Sequence, residues 1–220
     1  MGLLWAGIIG VLLLAYLLGS LPTGYLVARQ LKGIDIREHG SGSTGATNVL
    51  RTLGKGPGLF VFLVDIGKGV AAILLARTVG PLLSTDISLD INWVPVLTVL
   101  AGALALVGHS RSVWLGFKGG KSVATGLGII FALHWPTGLI AFGMFGLMLL
   151  LFRIVSLGSI VGAIAVPATM ILMGQPLAYE IFAALAAFYV VNRHRSNIQR
   201  LLTGSEPRIG QKLAESTDTP

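Results

Sequence analysis

The chain has 220 residues, of which 54% are hydrophobic and 11% charged; its formal net charge is +7 and its mean hydropathy +0.82. A soluble domain carries about 25% charged residues to wet its surface, so this composition excludes an ordinary water-soluble fold and calls for lipid as the second solvent. Cysteine is absent, which excludes a disulfide framework, a thiolate nucleophile and a Cys-ligated zinc site.

The first segment, residues 3–26, is apolar, has no basic n-region and runs into Gly19-Ser20-Leu21-Pro22 rather than a small-residue cleavage site. It is expected to be a retained helix rather than a signal peptide. A basic stretch follows, with Gly33-Ile34-Asp35 leading to Gly40-Ser41-Gly42-Ser43-Thr44-Gly45-Ala46-Thr47-Asn48 and on to Arg51. Glycines interleaved with hydroxyls ahead of a short apolar-periodic run suit an anion cradle, because exposed amides and a helix N-terminus both favour negative charge. Arg51 is placed to clamp a phosphate. The alternative is a solvated loop whose glycines only make turns.

The second apolar segment, 57–80, carries Asp65 and Lys68. Three residues apart, they share a helix face and can pair. Segments at 93–108 and 122–135 flank a second basic loop, His109 to Ser122. Its Gly120-Lys121-Ser122 invites a nucleotide P-loop reading, but the pattern needs a glycine at 115 and finds Leu115, so no nucleotide site is expected. Gly119 and Gly120 still set Lys121 beside backbone amides, as a phosphate contact or as a lysine at the lipid head groups. In segment 122–135, Gly126 and Gly128 predict close helix contacts. Segments 137–152, 154–173 and 177–192 complete the series, the sixth carrying Ser156 and Ser159. A third basic stretch runs Asn192 to Glu206; in a helical conformation His194, Asn197 and Leu201 share one face.

These segments predict an all-α integral membrane protein of about seven transmembrane helices, several of them near or below the roughly 20 residues a span takes. In alternate loops lie 14 of the 16 basic residues. The intervening loops hold Asp86 and Asp90, His134-Trp135-Pro136 or Gln175-Pro176, and no lysine or arginine. The positive-inside rule then puts the N-terminus outside and the C-terminus in the cytoplasm. Lys68 and Arg77 are the exceptions. Residues 1–204 are expected to form one multi-pass domain and 205–220 a polar, disordered tail.

Other chemistries fail on motif. There is no G-x-S-x-G, no H-E-x-x-H, no aspartate five places after any histidine, and no acidic cluster of the metal-dependent kind. What remains is lysine, arginine, histidine, hydroxyls and glycine amides, a set for holding phosphate at one membrane face. A transporter for an anionic solute also uses broken helices and cations, but would show an inverted repeat and a basic path through the bilayer. A lipid-binding scaffold would not need three glycine-rich basic loops.

The chain resembles the bacterial acyl-phosphate:glycerol-3-phosphate acyltransferases, the PlsY family. The matching stretches are Gly19-Ser20-x-Pro22, the Gly40-to-Arg51 loop, Asp65 with Lys68-Gly69, and Gly108-His109 through Phe117-Lys118-Gly119-Gly120-Lys121 to Ala124-Thr125. Ser156-Leu157 with Ser159 and His194 through Asn197, Arg200 and Gly204-x-Glu206 complete the set. At Ser43 the family usually has asparagine; a serine hydroxyl lacks the amide's two donors. The resemblance implies transfer of a fatty acyl group from acyl phosphate to position 1 of glycerol 3-phosphate, yielding lysophosphatidate and phosphate in the bacterial plasma (inner) membrane, with the site facing the cytoplasm. It implies the bilayer as setting, no cofactor, metal or nucleic acid, and functional coupling to the enzyme that makes acyl phosphate. Ser41, Gly42, Gly45, Thr47, Asn48, Arg51, Gly119, Gly120 and Lys121 are then expected to bind substrate phosphate. Lys121, Ser159, His194 and Asn197 are expected to act on the reacting groups.

Overall fold

A computed structural model describes residues 2–84 and 93–211. Ten α-helices follow in order: α1 Gly2–Ser20, α2 Thr23–Lys32, α3 Ala46–Leu53, α4 Lys55–Ser84, α5 Val94–Ser110, α6 Val123–Leu133, α7 Trp135–Phe152, α8 Val155–Leu172, α9 Leu177–Arg193 and α10 Arg195–Leu202. The seven apolar segments all appear as helices. Large apolar side chains such as Leu74, Leu150, Leu172 and Phe188 point outward, whereas Asp65, Lys68, His109, Ser122 and Thr125 are buried. That polarity suits a hydrocarbon solvent, in which internal polar groups must find each other.

The first apolar segment does not run unbroken to residue 26. It breaks at Leu21-Pro22, because proline has no N–H to continue the ladder. The exposed carbonyls are taken up from elsewhere: Ser112 Oγ donates to Ser20 O at 2.6 Å and Lys68 Nζ to Leu21 O at 3.0 Å. Lys68 also meets Asp65 at 2.8 Å, so the expected pair exists and braces the break.

Segment four is a half-length helix. The 11 residues of α6 reach only about 17 Å at 1.5 Å per residue, well short of the ~30 Å hydrocarbon core. Arg77 accounts for its own exception here. Its guanidinium reaches the last carbonyls of α6, on Ala132 and, at 3.0 Å, on Leu133, and the Tyr179 hydroxyl at 3.2 Å. Positive charge at a helix C-terminus is favourable. As Gly128 predicts, α4 and α6 pack without side chains between them: a Cβ at Gly128 would stand 2.1 Å from Ile66 O, and one at Gly69 2.2 Å from Thr125 O. Gly126 meets only Leu106, at an ordinary 3.4 Å.

Four helical stretches, α1 with α2, then α4, α7 and α8, are long and apolar enough to cross a membrane. Asp86, Asp90 and Lys212 lie outside the described residues. The start of the expected disordered tail is anchored instead: Ile209 N donates to Arg153 O at 2.8 Å, and Glu206 is buried.

Candidate active site

The three basic stretches meet around one polar cleft of about 500 Å³, lined among others by Ser41, Gly45, Thr47, Arg51, Lys121 and Ser159. Asn48, His194, Asn197, Arg200 and Glu206 also line it. Nine of the residues singled out in the sequence thus converge from four separate parts of the chain, and its volume lies in the range of small-ligand sites. Gly42, Gly119 and Gly120 do not form part of its wall.

The first loop is shaped by Asn48. Its amide donates to the carbonyls of Ile36, His39 and Ser43 at 3.1, 2.9 and 2.9 Å, while its Oδ1 accepts the Ser41 N–H at 2.9 Å. A side chain so engaged has no donor left for a ligand, so Asn48 holds the cradle rather than the anion. Gly42 belongs to the turn: it has φ +67° and its N–H donates to His39 O at 3.1 Å. The loop delivers the N-terminus of α3, where Gly45, Ala46 and Thr47 line the cleft, so the positive end of the helix faces the space an anion would fill. Asn48→Ala is expected to lower stability by roughly 2–4 kcal/mol, the sum of several buried hydrogen bonds. Thermal melting of the purified variant measures it.

The second loop presents Lys121, whose ammonium donates to Asn197 Oδ1. Burial pushes the Lys121 pKa down; Glu206 draws it back up, while Arg200, Arg193 and Arg51 push it further down. The Gly120 amide before it is already engaged. Gly120 N–H donates to His109 O at 3.1 Å and its carbonyl accepts from Arg193 at 3.0 Å. Both positions must be glycine because His109 closes on them, leaving no room for a Cβ at either.

The third stretch turns at His194, between α9 and α10. Its Nδ1 donates to Val190 O at 2.8 Å, which leaves Nε2 with its lone pair as an acceptor. Burial, aided by Lys121 and Arg193 against the opposing pull of the Val190 bond and Glu206, brings its pKa down to about 4. The imidazole is therefore neutral at physiological pH.

Glu206 received no role from the sequence, although it is the lone acid in the third basic stretch. Its Oε1 accepts from Ser156 Oγ and Asn197 Nδ2, both at 2.6 Å, and its Oε2 from Arg200 Nε at 2.7 Å. Burial pushes this carboxyl up, but the Ser156, Asn197 and Arg200 hydrogen bonds and the Arg200 charge outweigh it, so the net shift is downward. The carboxylate fixes which way the Asn197 amide points, and hence that its oxygen faces Lys121. Arg51 joins the same corner through Pro207 O at 3.4 Å, and desolvation lowers its pKa as well.

An apolar groove adjoins the cleft. Phe62, Val123, Phe145 and Ser159 line both, and Phe142, Gly162 and Phe182 carry the groove inward. Ser159 stands at the junction, its hydroxyl donating to Val155 O at 2.9 Å. Among the described residues no group of three or more His, Cys, Asp or Glu side chains is arranged to hold a metal.

A family model described as glycerol-3-phosphate acyltransferase matches residues 9–204. A protein of that name from Trichormus variabilis is 55% identical over 98% of both chains. One from Synechococcus elongatus is 56% identical over 94% of this chain and 97% of its own. Two crystal structures of PlsY (YgiH), an integral membrane glycerol 3-phosphate acyltransferase, superpose over 92% of this chain. The glycerol 3-phosphate form has a TM-score of 0.81 at 39% identity and covers 96% of that chain. The lysophosphatidic acid form has a TM-score of 0.78 at 38% identity and covers 95%. With its loops closing on one basic cleft and its helices superposing on an integral membrane enzyme, the chain belongs to the glycerol-3-phosphate acyltransferase (PlsY) family.

Proposed function

We propose that this protein transfers a fatty acyl group from acyl phosphate to the position-1 hydroxyl of glycerol 3-phosphate, forming lysophosphatidate and inorganic phosphate. The observation that carries the reading is the junction of a cationic cleft with an apolar groove at Ser159. A substrate with a phosphate head and a hydrocarbon tail fits that pair of spaces, with its acyl carbonyl at the junction.

The α3 N-terminus, Ser41, Thr47 and Arg51 hold the donor's phosphate, with Lys121 between it and the carbonyl. Glycerol 3-phosphate enters from the His194–Asn197–Arg200 side. Two phosphates repel, and the fixed cations bring them together, so positioning supplies much of the rate. The position-1 hydroxyl oxygen attacks the acyl carbonyl carbon, and the bond from that carbon to the phosphate oxygen breaks. The hydroxyl proton passes to an oxygen of the departing phosphate, whose charge Lys121 and Arg51 stabilise. An acyl phosphate is already activated, so no acyl-enzyme is required. Ser159 turns its hydroxyl toward the carbonyl, and His194 Nε2 accepts from the attacking hydroxyl to orient it.

A neutral His194 with a pKa of about 4 is a weak base, which supports the substrate phosphate as proton acceptor. The rate is therefore expected to show no step near 6.5 from this group and to fall only as pH drops toward 4, where the imidazole protonates and ceases to accept. His194→Ala is expected to keep more than about one part in ten thousand of the rate; a deeper loss exceeds the usual worth of an acid–base group and would make His194 the base. Product analysis tests the whole reading: one phosphate should be released per lysophosphatidate, with the acyl group at position 1. Acyl groups found first at position 2, or phosphate released without a lipid product, count against it.

The basic loops support a setting in the bacterial plasma membrane, with the cleft toward the cytoplasm, the N-terminus outside and about seven crossings. In that arrangement 1–204 is the enzyme domain and 205–220 a polar tail. Functional coupling to the enzyme that makes acyl phosphate follows from a donor that is both lipid-soluble and prone to hydrolysis.

A further inference from the structure

The turn that presents Lys121 packs against His109, which the mechanism above does not use. The His109 carbonyl accepts the Gly120 N–H at 3.1 Å. Its ring lies against the same glycine, where a Cβ would stand 2.1 Å from Nε2, and a Cβ at Gly119 would stand 2.2 Å from the His109 carbonyl oxygen. Arg193 pins the other end of that peptide by donating to Gly120 O at 3.0 Å. Behind the ring, His109 Nδ1 lies 3.7 Å from Asp65 Oδ1, which pairs with Lys68 Nζ at 2.8 Å. Lys68 in turn holds Leu21 O at the helix break. His109, Asp65 and Lys68 are all buried, and they join the fixed framework of α1, α4 and α5 to a loop that carries one short 3-10 turn, Val113–Leu115, and a bridge between Ser112 and Lys118.

We propose that His109 is a positioning residue for Lys121, setting where its ammonium meets Asn197 and the reacting groups, with the Asp65–Lys68 pair as the brace that keeps the imidazole in place. The glycine pair is then a socket for His109 and not a phosphate cradle. This rests on the assignment of Lys121 to the site, and small displacements of such a group cost heavily: roughly a hundredfold for about 1 Å.

The test is residue-resolved reductive methylation of lysines in the purified full chain, read by mass spectrometry, alongside steady-state kinetics. In His109→Ala, Lys121 should label severalfold faster, while buried Lys68 stays protected and exposed Lys55 is unchanged. The kcat should fall by roughly a hundredfold with a smaller change in KM. His109→Gln, which keeps a polar side chain in the socket, should recover part of the rate. Gly120→Ala drives the same ring aside from the other direction and should reproduce the labelling pattern, so the result does not hang on one variant. Unchanged Lys121 labelling overturns the proposal. So does a parallel rise at Lys68, which marks general loosening rather than lost positioning. The single variant Lys121→Ala separates the two readings: a full rate there removes Lys121 from the site, whereas the labelling judges His109 whatever that rate is.

Discussion

Lys121→Ala is expected to lower kcat/KM for acyl transfer by roughly a thousandfold, the usual worth of one fixed group that stabilises developing charge in a water-poor site. The loss should fall mainly on kcat, because Arg51, Arg200 and the α3 N-terminus still attract both phosphates in the ground state. Stability should change little. Burial already disfavours the Lys121 charge, as its lowered pKa records, and alanine removes that unfavourable burial together with the hydrogen bond to Asn197. Kinetics with melting on the same preparation separate the two quantities. A variant with near-normal kcat but a raised KM would move Lys121 from the reacting centre to simple substrate binding.

Glu206→Ala should have the largest combined effect on stability and rate. The substitution removes the acceptor shared by Ser156, Asn197 and Arg200. Breaking a buried ion pair from one side costs about 3–5 kcal/mol, and the partial exposure of Arg200 places this case near the lower end. The rate should collapse further than stability predicts, since the freed Asn197 amide can turn its NH2 group toward Lys121. Glu206→Gln keeps the volume and one acceptor oxygen and should fall between. The pH dependence gives an independent reading. A carboxyl held below its ordinary 4.5 in the folded protein contributes stability that is full above about 4.5 and is lost as pH falls through the folded value. The wild-type melting temperature should therefore decline on the acid side of 4.5, and this part of the decline should be missing in Glu206→Gln.

Much of this arrangement is legible in the residues. Hydropathy marks every helix that α1 and α4 to α9 supply, and the bias of lysine and arginine toward alternate loops gathers the right stretches at one cleft. Asp65 and Lys68 pair because three-residue spacing on a helix leaves them little choice. What escapes the sequence is tertiary. Hydropathy already marks segment four as short, but it cannot show that Arg77, far away in the chain, reaches the last carbonyls of α6. That His109 fills the space a side chain would need at Gly119 and Gly120 is visible only in the fold. Asn48 reads as a ligand for the same reason it is useful: it carries donors and an acceptor, and only the folded loop reveals that all of them turn inward. Glu206 sits in what reads as the start of a polar tail, yet it is the acid around which Ser156, Asn197 and Arg200 arrange themselves.

The central claim is that this cleft uses an acyl phosphate as its donor. The most direct test gives purified protein, in detergent or lipid and without nucleotide or divalent metal, glycerol 3-phosphate with palmitoyl phosphate, palmitoyl-CoA or palmitoyl-acyl carrier protein in parallel. The account predicts lysophosphatidate and stoichiometric phosphate from palmitoyl phosphate alone, with turnover lost in Lys121→Ala. Turnover with either thioester and none with palmitoyl phosphate would contradict it.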